Sequence, residues 1–198
     1  MKSPKMKTIG LTGSIGMGKS ATAKLFATKG IPVFDSDAAA HTLLGPKGAA
    51  VERVEKFFPG VKVDQQIDRK ALGEKVFDND EALSRLENIL HPMIRTLRDD
   101  FVSHADSDLV LFDIPLLFEK AYEEELDYTI VVSAPYEIQK KRVLERPAMK
   151  EHQFRKIIEK QMPDQEKRRR ADFIIQTGQG LQYAEKQVDD ILKKLREN

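Results

Sequence analysis

An α/β fold built on a five-stranded parallel sheet is predicted by three observations. Short, nearly continuous apolar runs recur along the 198 residues, with helical patterns between them. The first run opens directly into a glycine-rich turn and then a helix. Two of the runs end in an acidic residue, as expected where the carboxyl ends of parallel strands face a ligand.

The first strand is Thr8 to Thr12, and the helix beyond it covers Ala21 to Ala27 and stops near Gly30. Between them, Gly13-Ser14-Ile15-Gly16-Met17-Gly18-Lys19-Ser20 matches Gly-x-x-x-x-Gly-Lys-Ser without a mismatch. The glycines let the backbone curl so that successive N–H groups point inward at a phosphate, and the helix N-terminus adds about half a positive charge. Lys19 brings a full charge to the β- and γ-phosphates, and the Ser20 hydroxyl is a ligand for Mg²⁺. The stretch from Gly13 to Ala21 is therefore expected to hold a nucleoside triphosphate. The fold class becomes a P-loop NTPase-type three-layer fold with a helical substrate-binding insertion and a helical lid.

The second strand, Ile31 to Phe34, ends in Asp35-Ser36-Asp37. Alternate residues of an extended segment point the same way, so Asp35 and Asp37 share one direction. One is expected to act as base toward an acceptor hydroxyl while the other supports Mg²⁺ or a water; alternatively Asp37 caps a helix starting at Ala38. From about His41 to His104 the periodicity is helical with little strand character. Leu43, Leu44, Val51, Val54, Phe57 and Phe58 suit one amphipathic helix, broken at Pro59-Gly60. Asp68 is placed as the N-cap of a second, and a third pattern (Leu83, Leu86, Ile89, Leu90) runs to His91-Pro92, read as a helix boundary first and a ligand contact second.

The sheet resumes at Leu109 to Ile114, where Asp113 is either a further Mg²⁺-facing carboxylate or a structural cap. Strands four and five are Tyr128 to Ser133 and Phe173 to Thr177. Between them Arg142 and Arg146 lie one helical turn apart, as lid arginines neutralising charge on a transferred phosphoryl group would. The role of the Lys167-Arg168-Arg169-Arg170 run stays open: a solvated face is the usual meaning of such charges, and the aromatic interleaving that nucleic-acid binding wants is absent. The expected domains are a core of residues 1–40, 106–135 and 166–198, an acceptor-binding subdomain at 41–105 and a lid at 136–165.

Lys and Arg number 33 against 32 acidic residues, so no global field favours nucleic acid. The absence of cysteine excludes disulfides and thiolate chemistry. The basic start Met1 to Lys7 is followed by no apolar region and no run approaches membrane-spanning length, so a cytoplasmic protein with no membrane partner is expected. A GTPase switch needs Asp-x-x-Gly and an Asn/Thr-Lys-x-Asp motif; neither occurs. Another nucleoside or metabolite kinase on the same core stays open on these residues alone.

In order along nearly the whole chain, the motifs resemble the dephospho-coenzyme A kinase family. The matching pieces are Leu11 to Ser20, Val33-Phe34-Asp35-Ser36-Asp37 with His41, Arg69 to Phe77, His91-Pro92, Ile114-Pro115-Leu116-Leu117-Phe118-Glu119, Arg142, Arg146, Gln161-Met162, Lys167 and Ala171 to Ile175. The resemblance implies transfer of the γ-phosphate of ATP, with Mg²⁺, to the ribose 3′-hydroxyl of dephospho-coenzyme A, by a monomer or small homo-oligomer. It implies Asp37 as base, Lys19 and Arg142 as catalytic cations, Arg142 and Arg146 closing on ATP, and Asp37, His41, His91, Pro115, Leu116 and Leu117 toward the acceptor. The chain departs from the family pattern at Pro147 after Arg146, at Thr177 where asparagine is usual, and at Ala21 where threonine is common.

Overall fold

A computed structural model describes residues 6–147 and 149–197. Most of the basic start, from which the cytoplasmic expectation is partly drawn, lies outside the described residues. In chain order the strands are β1 (Lys7–Thr12), β2 (Val33–Asp35), β3 (Lys62–Val63), β4 (Gln66–Ile67), β5 (Leu109–Asp113), β6 (Tyr128–Ser133) and β7 (Phe173–Gln176). The helices are α1 (Lys19–Thr28), α2 (Ser36–Leu44), α3 (Val51–Phe57), α4 (Arg69–Val76), α5 (Asp80–His104), α6 (Tyr136–Leu144), α7 (Glu151–Lys160), α8 (Asp164–Arg170) and α9 (Leu181–Glu197). Two compact units result: the chain up to Phe34 together with Asp106 onward, and Asp35–Ala105.

The first unit carries the five-stranded sheet, in the order β2-β5-β1-β6-β7. Its strands are parallel, with Ile9 opposite Leu111 on one side of β1 and Leu11 opposite Ile130 on the other. All five predicted strands are present, with ends shifted by a residue or two. Ile9, Leu11, Leu111 and Val132 bury one face of the sheet against Phe26 of α1 and Val188, Ile191 and Leu195 of α9. Each such side chain contributes roughly 1.5–3 kcal/mol when fully buried. On the other face Gly10 is covered so closely by Leu117 and Leu126 that an added Cβ would lie 2.4–2.5 Å from them. Because β5 and β6 flank β1, successive connections leave it on opposite sides, opening a crevice at its carboxyl end.

The second unit has its own apolar core, including Leu43, Val51, Val54, Leu72, Leu86 and Ile89, and it revises four readings. The pattern from Leu43 to Phe58 is two helices, because Gly45 to Ala50 turns the chain between α2 and α3; Phe57 is exposed. A small antiparallel pair, β3 with β4, stands where no strand was read. The N-cap of α2 is Asp35, whose carboxylate accepts the Ala38 N–H at 2.9 Å; Asp37 lies in the first turn. His91-Pro92 is no boundary: α5 runs through it for 25 residues. Proline forfeits the bond to the Asn88 carbonyl and crowds it, but both residues are exposed, so the freed oxygen is open to solvent, and the buried Leu86–Ile89–Leu90 face carries the helix through. Asp68 caps α4 as expected, accepting from Lys70 and Ala71. Among the described residues no helix is long and apolar enough to cross a membrane.

Candidate active site

The P-loop occupies the crevice at the end of β1, and its shape follows from its glycines. Gly16 and Gly18 adopt φ of 77° and 93°, the left-handed region that side chains resist. At Gly13 a Cβ would lie 2.4 Å from Val132 Cγ2, so only glycine fits against β6. Helix α1 begins at Lys19, two residues earlier than its apolar pattern suggests. Among the described residues, the N–H groups of Gly16, Gly18, Lys19, Ser20 and Ala21 have no backbone acceptor. Together they form a cluster of donors at a helix N-terminus. Two other N–H groups of the predicted cradle are already engaged: Met17 donates to the Ser14 carbonyl at 3.1 Å, and Ile15 to Gln161 Oε1 at 3.0 Å. The Met17 side chain is buried, its sulfur accepting the Ala134 N–H.

Lys19 forms an ion pair with Asp113, the buried carboxylate at the end of β5. The cation is thus held at the mouth of the loop by the one acid that the third predicted strand delivers there. The Ser20 hydroxyl is exposed in the first turn of α1. Ser20 and Asp113 are the hard oxygen donors that Mg²⁺ prefers; among the described residues no cluster of three or more His, Asp or Glu offers a metal cage. A cation completed by phosphate oxygens fits that donor set.

Arg142 is fixed beside the loop. Its guanidinium donates to the Thr177 hydroxyl (3.0 Å), the Thr177 carbonyl (2.7 Å) and the Gly16 carbonyl (3.5 Å). The Thr177 hydroxyl donates in turn to the Met17 carbonyl at 2.7 Å. The threonine at this variant position therefore joins P-loop, β7 and α6. Arg146 lies beyond the end of α6, exposed, so the structure anchors one arginine of the pair and leaves the other in solvent.

Pro115 to Glu119 follows β5. Leu117 is fully buried against Gly10, so its side chain belongs to the core rather than to an acceptor surface; Leu116 is exposed and Pro115 half-buried. Glu119 accepts the Met162 N–H (2.9 Å) and the Lys167 ammonium (2.7 Å). Burial alone would raise the Glu119 pKa, but these hydrogen bonds outweigh it and hold the carboxyl below its ordinary value. Lys167 is 1% exposed, so the basic run is not a uniformly solvated face. Its Arg170 pairs with Glu123 and lies 5.0 Å from the Phe118 ring centroid.

In the second unit, Asp37 is exposed on the first turn of α2, His41 exposed on its last turn, and His91 half-buried within α5. Gln161 and Glu119 stand among the matching motifs without an assigned role, and Gln139 in none of them. A glutamine carries no chemical signature of its own, and the partner of Glu119 is 48 residues away.

The family model for dephospho-CoA kinase matches residues 7–182. The chain belongs to the dephospho-CoA kinase family. Curated dephospho-CoA kinases of Novosphingobium aromaticivorans and Mesorhizobium japonicum are 48% and 50% identical over 190 and 194 residues, covering 96% of this chain and 94% and 98% of theirs. Among solved structures, TT1252 from Thermus thermophilus superposes with a TM-score of 0.87 at 36% identity, covering 96% of this chain and 98% of that one. A dephospho-CoA kinase from Campylobacter jejuni superposes at 0.68 and 29% identity, over 95% and 96% of the two chains. A shikimate kinase from Acinetobacter baumannii, at 0.55 and 19% identity over 98% and 96%, shares the fold alone.

Proposed function

We propose that this chain transfers the γ-phosphate of ATP to the ribose 3′-hydroxyl of dephospho-CoA, releasing ADP and CoA. The observation that carries this reading is the set of open N–H groups on Gly16 and on Gly18 to Ala21, with the Lys19 ammonium beside it, in a chain that matches dephospho-CoA kinases over nearly its full length. The cradle binds the β- and γ-phosphates, and Lys19 exchanges the Asp113 carboxylate for a phosphate oxygen. Arg142 faces the charge that develops as the bond from the γ-phosphorus to the bridging oxygen lengthens. Asp37 accepts the proton of the attacking hydroxyl as the new P–O bond forms, and the displaced electron pair stays on ADP. Asp35, committed to capping α2, is the positioning partner. Ser20 and Asp113 would hold Mg²⁺, whose charge neutralises the phosphates when bound. His41, His91, Pro115 and Leu116 belong to the acceptor side, and Arg146 closes on the nucleotide. Residues 136–165 act as the lid, and 41–105, which lie within the compact unit Asp35–Ala105, as the acceptor-binding subdomain. A cytoplasmic location and a monomeric or small homo-oligomeric state are part of the same proposal, tested by fractionation and light scattering.

The test is ADP release from ATP and Mg²⁺ with and without dephospho-CoA. Release that depends on the acceptor, with CoA as product, is expected; no stimulation by that acceptor in protein that binds ATP contradicts the reading. Asp37→Asn is isosteric and should lower kcat roughly 10²–10⁴-fold with the acceptor KM nearly unchanged. Asn at position 35 still caps, so Asp35→Asn should be mild. The reverse ranking would make Asp35 the base.

A further inference from the structure

We propose that Gln139 and Gln161 form a two-armed clasp on Ile15 that sets the shape of the P-loop and links it to both ends of the lid segment. The proposal rests on the nucleotide half of the reading above and not on the acceptor.

Ile15 stands at the apex of the loop, and both of its backbone polar groups are held by side chains. Its N–H donates to Gln161 Oε1 at 3.0 Å, and its carbonyl accepts from Gln139 Nε2 at 2.8 Å. A primary amide offers both a donor and an acceptor, so one residue type serves opposite ends of a single residue. The arms enter from opposite ends of residues 136–165. Gln139 is buried in the first half of α6, and Gln161 is the first residue beyond α7. The α6 arm is pressed against the loop: a Cβ on Gly16 would lie 2.5 Å from Val143 Cγ2 and 3.0 Å from the Gln139 carbonyl. The other arm is moored by its neighbour, since the Met162 N–H donates to Glu119 Oε1, the oxygen that also accepts from the buried Lys167. Ile15 precedes Gly16, the first open N–H of the cradle, so a rotated Ile15 peptide would misdirect that donor. The two glutamines are positioning residues for nucleotide binding; neither is assigned contact with the phosphates.

The test measures ADP binding by titration, without acceptor, for Gln139→Met, Gln161→Met and the double variant. Methionine keeps length and volume while removing the amide. Each single change should raise the ADP Kd about tenfold, equivalent to the loss of ~1.4 kcal/mol, and raise the KM for ATP in parallel while leaving kcat and the acceptor KM nearly unchanged. The double variant should be much less than about a hundredfold weaker, because losing either arm already frees the same residue. An unchanged Kd, or a double effect equal to the product of the singles, overturns the clasp. Hydrogen exchange on nucleotide-free Gln161→Met supplies a second readout that needs no binding. P-loop amides should exchange about tenfold faster, with α9 amides unchanged. Equal acceleration in α9, or none in the P-loop, also overturns it. Wild-type protein that fails to bind ADP at all would instead count against the proposed function, and the exchange experiment would still decide the clasp.

Discussion

Two lysine–carboxylate pairs in the first unit use the same chemistry in regions of opposite character. Lys19 meets Asp113 at the mouth of the P-loop, with its side chain 17% exposed and a cluster of open N–H groups beside it. Lys167, in α8, meets Glu119 with its own side chain 1% exposed, on an oxygen that also takes the Met162 N–H. An incoming polyanion reaches the first lysine and is drawn there by the helix N-terminus. The second lysine is closed off by its burial. A pair's surroundings, not its geometry, separate a cation open to exchange from a permanent tie.

Lys19→Met puts the sharpest strain on that distinction. Phosphoryl transfer should fall about 10²–10³-fold, the scale of a lost charge-stabilising donor. ADP at a hundred times the wild-type Kd stabilises the wild type by about 2.7 kcal/mol; at that same concentration the stabilisation, and the rise in Tm that reports it, should be smaller in the variant. Near-normal turnover would move Lys19 out of the machinery. Lys167→Met should act on the fold instead. Leaving the Glu119 carboxylate buried without its cation costs about 3–5 kcal/mol, seen as a lower Tm or denaturation midpoint. The ADP-linked rise in Tm should survive. If it vanished, the second pair would be part of the nucleotide site and the comparison would collapse.

The pH dependence is the smallest of these effects. In the folded protein the Lys167 and Met162 hydrogen bonds outweigh burial and hold the Glu119 pKa below its ordinary value of 4.5. The unfolded chain therefore binds the proton more readily, so the tie contributes its stability fully above pH 4.5 and loses it as pH falls through the lowered folded value. Glu119→Gln should be less stable than wild type near neutrality and should flatten the acid limb of the Tm–pH curve. An acid limb as steep as in the wild type would assign that loss to other carboxylates.

The same contrast explains what the sequence makes legible. The P-loop, the five strands and the Asp68 cap are written in local spacing, where glycine conformation, apolar runs and capping chemistry act within a few residues. Features set by distant partners are not. Lys167 sits in a run that reads as solvated until Glu119 is brought to it, and Gln139 and Gln161 acquire meaning only when both reach Ile15. Leu117, matched within an acceptor-side motif, turns inward because Gly10 leaves room for it. The proline at 92 reads as a helix end because its cost is local, while the burial that carries α5 past it is tertiary. Asp35, rather than Asp37, takes the cap because the helix starts two residues earlier than its apolar pattern suggests.

The decisive measurement is a crystal structure of the protein with ADP or a non-hydrolysable ATP analogue and Mg²⁺. Lys19 should have left Asp113 for a phosphate oxygen while Lys167 stays on Glu119. A nucleotide bound with Lys19 still paired to Asp113 would contradict the account.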